Sequence, residues 1–288
     1  MNEINRRFRE RLAQRDALLV PGAANALAGR IIADLGFEAV YLSGAGVTNT
    51  FFGLPDLGFV SLPDLAQHTA ALRDAVELPI IVDADTGFGN ALNVRHTVRT
   101  LERAGASAVQ IEDQVSPKRC GHFSGKEVVP AAEMVAKVKA AVDARHDPDF
   151  LVVARTDARA VEGFEAAIER AERYIEAGAD VTFVEAPESL DEISRIPERL
   201  PVPQLVNMVV GGKTPILSVS ELRAMKYALV LYANAALQGA VHGMQVALKR
   251  LKEEGRLDES APVTSFEERQ RLVGKPLFDR LERDYAAD

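Results

Sequence analysis

The chain has 288 residues, 47% of them hydrophobic and 26% charged, a balance that fits a globular protein large enough to bury one sizeable core. Its net charge of −8 at pH 7, with no dense Lys/Arg stripe, argues against nucleic acid, whose binding depends on neutralising phosphates. One cysteine excludes an intrachain disulfide framework, and no apolar run approaches the roughly 20 residues of a membrane helix.

The first segment, MNEINRRFRERLAQRD, is charged and lacks an apolar h-region, so no signal peptide is expected, and a reducing cytoplasmic location fits the lone thiol. From there two patterns alternate. Short apolar runs at 18–21, 39–43, 80–84, 108–112, 151–155, 181–185, 204–208 and 228–232 read as strands. Segments of helical periodicity lie between them, at 63–76, 91–104, 131–145, 164–177 and 220–225. Gly105 and Gly178 follow two of these, where a left-handed residue ends a helix. Continuous rather than alternating apolar strands imply a parallel sheet covered on both faces. Eight such units imply a (β/α)8 TIM-type barrel, with 1–288 as a single domain. After a long helical segment at 235–254, residues 255–288 read as a C-terminal helical extension.

Active sites of such barrels form at the C-terminal strand ends. Here those ends carry Tyr41-Leu-Ser43-Gly44-Ala45, Asp83-Ala-Asp85, Glu112-Asp113, Arg155-Thr-Asp157, Glu185 and Asn207. An apolar core would choose none of these. Asp83 and Asp85 are two apart, so on an extended backbone both point to one side. Close carboxylates repel unless a cation intervenes, and hard oxygen ligands with Glu112 suit Mg²⁺ or Mn²⁺. The planar fork of Arg155 suits a substrate carboxylate, although an ion-pair role beside Asp83 or Glu185 is the alternative.

Cys120 lies outside the apolar runs, in Pro117-Lys-Arg-Cys-Gly-His122. Lys118, Arg119 and His122 around it favour the thiolate, and the glycine-bearing loop fits a lid with a reactive acid. The remaining histidines, His68, His96, His146 and His242, sit at no metal-ligand spacing and read as packing or surface residues. Gly87-Phe-Gly89-Asn has neither the GxGxxG nor the P-loop spacing.

VYLSGAG, DADTGFGNALNV, IEDQVSPKRCGH and ARTDA together resemble the isocitrate lyase/phosphoenolpyruvate mutase superfamily over roughly residues 15–250. The resemblance implies a barrel whose last helix is exchanged between subunits, a homotetramer built from swapped dimers, and a Mg²⁺ or Mn²⁺ site acting on α-oxycarboxylates. It makes Asp83 and Asp85 metal-site carboxylates, with Glu112 and Asp56 reaching the metal through water. Ser43, Gly44 and Ala45 would cradle the substrate with Gly121 and Arg155, and Glu185 and Asn207 would line the far wall. Lys118, Cys120 and His122 form the loop typical of the carbon–carbon lyases. By this resemblance Cys120 protonates the departing fragment, and Tyr41 takes part in transfer of the hydroxyl proton.

Two features depart from the methylisocitrate lyases within the superfamily. Gln238 stands where those lyases carry an arginine for a third carboxylate, and Asn207-Met-Val-Val replaces their Asn-Ile-Thr-Glu. Both favour a small 2-hydroxy dicarboxylate of the 2,3-dimethylmalate kind, cleaved to pyruvate and a short carboxylate. Methylisocitrate cleavage and oxaloacetate hydrolysis remain the alternatives, with a non-catalytic oligomeric scaffold as the non-enzyme one.

Overall fold

In the computed structural model, which describes residues 2–119, 121 and 125–286, every one of the apolar runs is a strand. They are β1 (Leu18–Ala23), β2 (Val40–Leu42), β3 (Ile80–Asp83), β4 (Ala108–Glu112), β5 (Leu151–Thr156), β6 (Val181–Val184), β7 (Gln204–Asn207) and β8 (Leu229–Tyr232). All pair in parallel and in chain order, and β1 closes on β8 with Leu18 opposite Leu229. The chain is a (β/α)8 barrel.

The anticipated helices form within a residue or two of their expected limits: Leu62–Ala75, Ala91–Arg103, Ala131–Ala144, Phe164–Glu176 and Val219–Ala224. Local chemistry fixes their starts. Ser61 with Asp64, Asn90 with Asn93 and Ser218 with Glu221 form reciprocal capping boxes that satisfy otherwise orphaned N–H groups. Gly105 and Gly178 have φ of 103° and 102°, as helix-terminating glycines should.

One helix not anticipated matters for the core. Half of Asn2–Ala13 is charged, yet its Phe8 and Leu12 are buried with side chains from all eight strands, among them Leu18, Tyr41, Ile81, Ala108, Val153, Phe183, Leu205 and Leu229. A cluster touching every strand is the barrel interior, so this helix plugs its N-terminal end. Interior side chains recur at every second strand residue. Counting on by twos from Tyr41, Ile81, Ala108, Val153, Phe183 and Leu205 reaches Ser43, Asp83, Glu112, Arg155, Glu185 and Asn207. The polar residues therefore crowd one mouth of the barrel because strand parity leaves them nowhere else to point.

The helix Ala235–Glu254 behaves differently from the others. Among its described residues none is buried, and Val241, Met244, Val246, Leu248 and Leu251 are exposed. Beyond it lie the extra helices Phe266–Leu272 and Lys275–Tyr285. Arg271 ties the first of these to Asp34 on helix Ala26–Asp34 through two hydrogen bonds of 2.7 Å.

Candidate active site

The mouth is organised around Asp83. Its Oδ1 accepts from Gln110 Nε2 at 3.2 Å and its Oδ2 from the Gly44 N–H at 3.4 Å. Asp85 reaches the same space by another route than an extended backbone. The strand ends at Asp83, and Asp85 is left-handed with φ 48°. This corrects the two-residue parity expected from sequence, although the carboxylates still converge. A Cβ on Gly44 would sit 3.4 Å from both Asp83 Oδ2 and Asp85 Oδ1. Glycine there keeps the space between the acids and the chain open.

Lys118 faces this cluster. Its buried ammonium lies 2.6 Å from Asp56 and 3.0 Å from Asp85. Burial alone would lower its pKa, but Asp85, Glu112, Asp83 and Asp56 raise it well above the usual lysine value, so it stays charged. Burial, opposed by Lys118 but helped by Asp83 and Asp56, pushes Asp85 up to about 7. Burial likewise raises Glu112 well above the carboxylate range despite Arg155. The protein has gathered more negative charge than its own cations neutralise.

Arg155 forms the opposite side. It donates from Nε and Nη2 to Asp157 at 2.9 and 3.0 Å, lies 3.2 Å from Glu112, and its Nη1 is 3.8 Å from Glu185. The guanidinium stacks over Phe183, 5.2 Å from the ring centroid. Gly121 packs directly on this group, since a Cβ there would collide with Glu185 Oε1 and Arg155 Nη2. Tyr41 lies at the floor; burial, then the charge of Asp83, raises its phenol well above 10, so the hydroxyl keeps its proton.

A match to the phosphoenolpyruvate phosphomutase family model spans residues 8–252. The chain belongs to the phosphoenolpyruvate mutase/isocitrate lyase superfamily. It is 43% identical over 284 residues to 2,3-dimethylmalate lyase of Eubacterium barkeri, covering 97% of each chain. It is 47% identical over 248 residues to 2-methylisocitrate lyase of Aeropyrum pernix, covering 86% of this chain and 80% of that one. Among solved structures, 2,3-dimethylmalate lyase superposes with a TM-score of 0.92 at 33% identity, covering 99% and 96% of the two chains. Oxaloacetate acetylhydrolase with 3,3-difluorooxalacetate follows at 0.91 and 32%, covering 98% and 96%. Phosphonopyruvate hydrolase, solved with oxalate and Mg²⁺, superposes at 0.88 and 31%, covering 98% of each. These relatives make the chain an enzyme of the carbon–carbon lyase type.

Divalent-metal dependence runs through the superfamily, and the residues here fit such an ion. Asp56, Asp83, Asp85 and Glu112 are hard oxygen donors. Glu112 Oε1 is buried without a hydrogen bond, and Gly44 lies against Asp83 and Asp85 without a side chain of its own. Among the described residues no three acids close on one point tightly enough to bind an ion by themselves. The set fits a hydrated ion, which Mg²⁺ characteristically remains.

The structure thus brings together Tyr41, Ser43, Gly44, Asp56, Asp83, Asp85, Glu112, Lys118, Gly121, Arg155 and Glu185 around one mouth. Ala45 follows in the short helix Gly44–Val47, which Ser43 caps through the Gly46 N–H. Asn207 ends β7 at the same rim, and its Oδ1 is buried without a partner. Cys120 and His122 lie outside the described residues. Gln238 is exposed in the first turn of helix Ala235–Glu254, the element that follows β8.

Sequence reasoning assigned no role to the residues that hold these groups in place. Gln110 orients Asp83 from the barrel interior. Gln114 clamps Arg119 through both its N–H and its carbonyl, each at 2.9 Å. Asp113 accepts from Thr156, the Asp157 N–H and Tyr174 at 2.7, 2.9 and 2.7 Å. The available signal was a glutamine in the middle of an apolar strand, since a fully buried amide demands a partner.

Proposed function

We propose that the protein cleaves a small 2-hydroxy dicarboxylate of the 2,3-dimethylmalate kind into pyruvate and a short carboxylate, with propionate from dimethylmalate itself. The observation that carries this reading is the mouth itself, with four acids and Lys118 on one side and Arg155 on the other. End-to-end similarity to a dimethylmalate lyase supports the substrate class.

A bound Mg²⁺ or Mn²⁺ would be held by Asp83 and Asp85, with Glu112 and Asp56 acting through water. It supplies electrostatic stabilisation for the charge that develops as the carbon–carbon bond breaks. The chain's own residues do the rest. Arg155 binds a substrate carboxylate through its planar fork, with Ser43, Gly44, Ala45 and Gly121 shaping the cradle. Glu185 and Asn207 line the far wall, and Tyr41 lies beneath the reacting hydroxyl. As the C2–C3 bond breaks, the hydroxyl proton passes, with Tyr41 taking part, to a carboxylate of the acid cluster, and the electron pair left on C3 takes a proton from the Cys120 thiol, whose neighbours in the chain include Lys118 and His122.

A second reading, 2-methylisocitrate cleavage to pyruvate and succinate, is favoured by the 47% identity to such a lyase. Gln238 in place of a cation weighs against a third carboxylate. We further infer a cytoplasmic homotetramer built from dimers that exchange helix Ala235–Glu254, a reading supported by that helix's exposed apolar residues.

The test is pyruvate release from 2,3-dimethylmalate and 2-methylisocitrate side by side with Mg²⁺, using Cys120→Ala as control. Release from dimethylmalate that the control abolishes is expected. Release mainly from methylisocitrate would transfer the assignment to the second reading, and silence from both would bring oxaloacetate hydrolysis forward.

A further inference from the structure

Lys126 lies outside every role assigned so far, yet it is buried to 7% exposure beside the site. Its Nζ is 2.8 Å from Asp157 Oδ1 and also donates to the Gly121 carbonyl. Asp157 is itself fully buried, and both of its oxygens receive the Arg155 guanidinium. Gly121 in turn packs without a Cβ against Arg155 and Glu185. A buried ammonium must find partners, and this one has two that meet the same arginine.

The charges explain why a second cation is needed. Arg155 faces Asp157, Glu112 and Glu185, three acids against one guanidinium. Left alone, the acids around Arg155 would weaken its attraction for an incoming carboxylate. An ammonium on Asp157 offsets one of those acids without occupying the face of Arg155 that a ligand uses.

We propose that Lys126 is a positioning residue for carboxylate binding: by bonding the Asp157 carboxylate and the Gly121 carbonyl at once, it fixes the Arg155 guanidinium and the Gly121 backbone against each other. The inference rests on reading Arg155 as the holder of a substrate carboxylate. It adds that this arginine works only while a second, non-contacting cation balances its anchor.

The experiment compares wild type, Lys126→Met, Lys126→Arg and Asp157→Asn for oxalate binding by calorimetry with Mg²⁺, well below each variant's measured Tm. The same proteins are assayed for KM and kcat on the diacid. Folded Lys126→Met should bind oxalate about tenfold more weakly or worse and show a raised KM, with Lys126→Arg recovering most of the loss. A merely structural lysine would lower Tm and leave the affinity of the folded protein unchanged, and that result overturns the proposal. Should Lys126→Met not fold, Asp157→Asn carries the test, and unaltered oxalate affinity in that variant is equally fatal. Wild type that fails to bind oxalate at all also overturns it. Oxalate binding without turnover of dimethylmalate, by contrast, would sink only the substrate assignment.

Discussion

At the scale of single residues, the site is set by what neighbouring groups leave no room for. Gly121 illustrates this, because any Cβ would strike Glu185 and Arg155. Gly121→Ala should therefore leave the fold intact while lowering kcat/KM by about tenfold or more, read from steady-state kinetics beside an unchanged circular dichroism spectrum. An unimpaired variant would mean that the Gly121–Arg155 contact is not maintained during turnover. Asp157 yields a pH prediction. Burial would raise its pKa, but Arg155 and Lys126 hold it at about 2 in the folded protein. The unfolded value is near 3.8, so the folded state binds fewer protons and the contribution is fully present above about pH 4. It is lost as pH falls toward 2 and amounts to something on the order of 2 kcal/mol. Asp157→Asn should accordingly flatten the acid limb of the Tm-versus-pH curve between about pH 4 and pH 2. An acid limb identical to wild type would show that Asp157 does not govern it.

At the scale of elements, Asp113 joins three of them. It sits one residue beyond β4, receives Thr156 and the Asp157 N–H from the end of β5, and receives Tyr174 from helix Phe164–Glu176. Arg170 of that helix lies 3.4 Å away and is held by Glu162 and the Val129 carbonyl. Asp113→Ala would strand these donors in a dry interior, a loss of roughly 3–5 kcal/mol that should appear as a large fall in Tm. The strand ends would lose their mutual register, so metal and substrate affinity should fall with it. The strands themselves were legible from composition, because a parallel barrel buries both faces and each strand must be a continuous apolar run. Helix Asn2–Ala13 was not, because its charged side chains outnumber Phe8 and Leu12, the residues that decide where it packs.

At the scale of the whole molecule, helix Ala235–Glu254 stands apart, since none of its described residues is buried. Met244 is 56% exposed and Leu248 61%, one turn apart on helix Ala235–Glu254. Apolar surface aligned in this way supports the proposed exchange of this helix between subunits. The double variant Met244→Asp/Leu248→Asp should sediment as a smaller assembly than wild type, with the barrel still folded. An assembly whose size these two charges leave unchanged would refute exchange of this helix. Removing metal with a chelator should abolish activity, and Asp85→Asn should weaken Mn²⁺ binding by about 100-fold or more as read by electron paramagnetic resonance. Tight Mn²⁺ binding in that variant would move the ion away from Asp85.

The sequence by itself determined the barrel, its strand limits and the polar rim, since hydrophobic period and helix punctuation are local properties of the chain. It also carried enough of Ser43, Asp83, Glu112 and Arg155, as residues an apolar strand would not choose, to identify the chemistry. Only the tertiary structure decided how these groups meet. Asp85 joins Asp83 through a left-handed residue that no periodicity announces. Gln110, Asp113 and Lys126 gain their roles from partners 27, 43 and 31 residues away in the chain. A hydrogen bond between the ends of two strands depends on which strands become neighbours, and that is settled only when the sheet assembles.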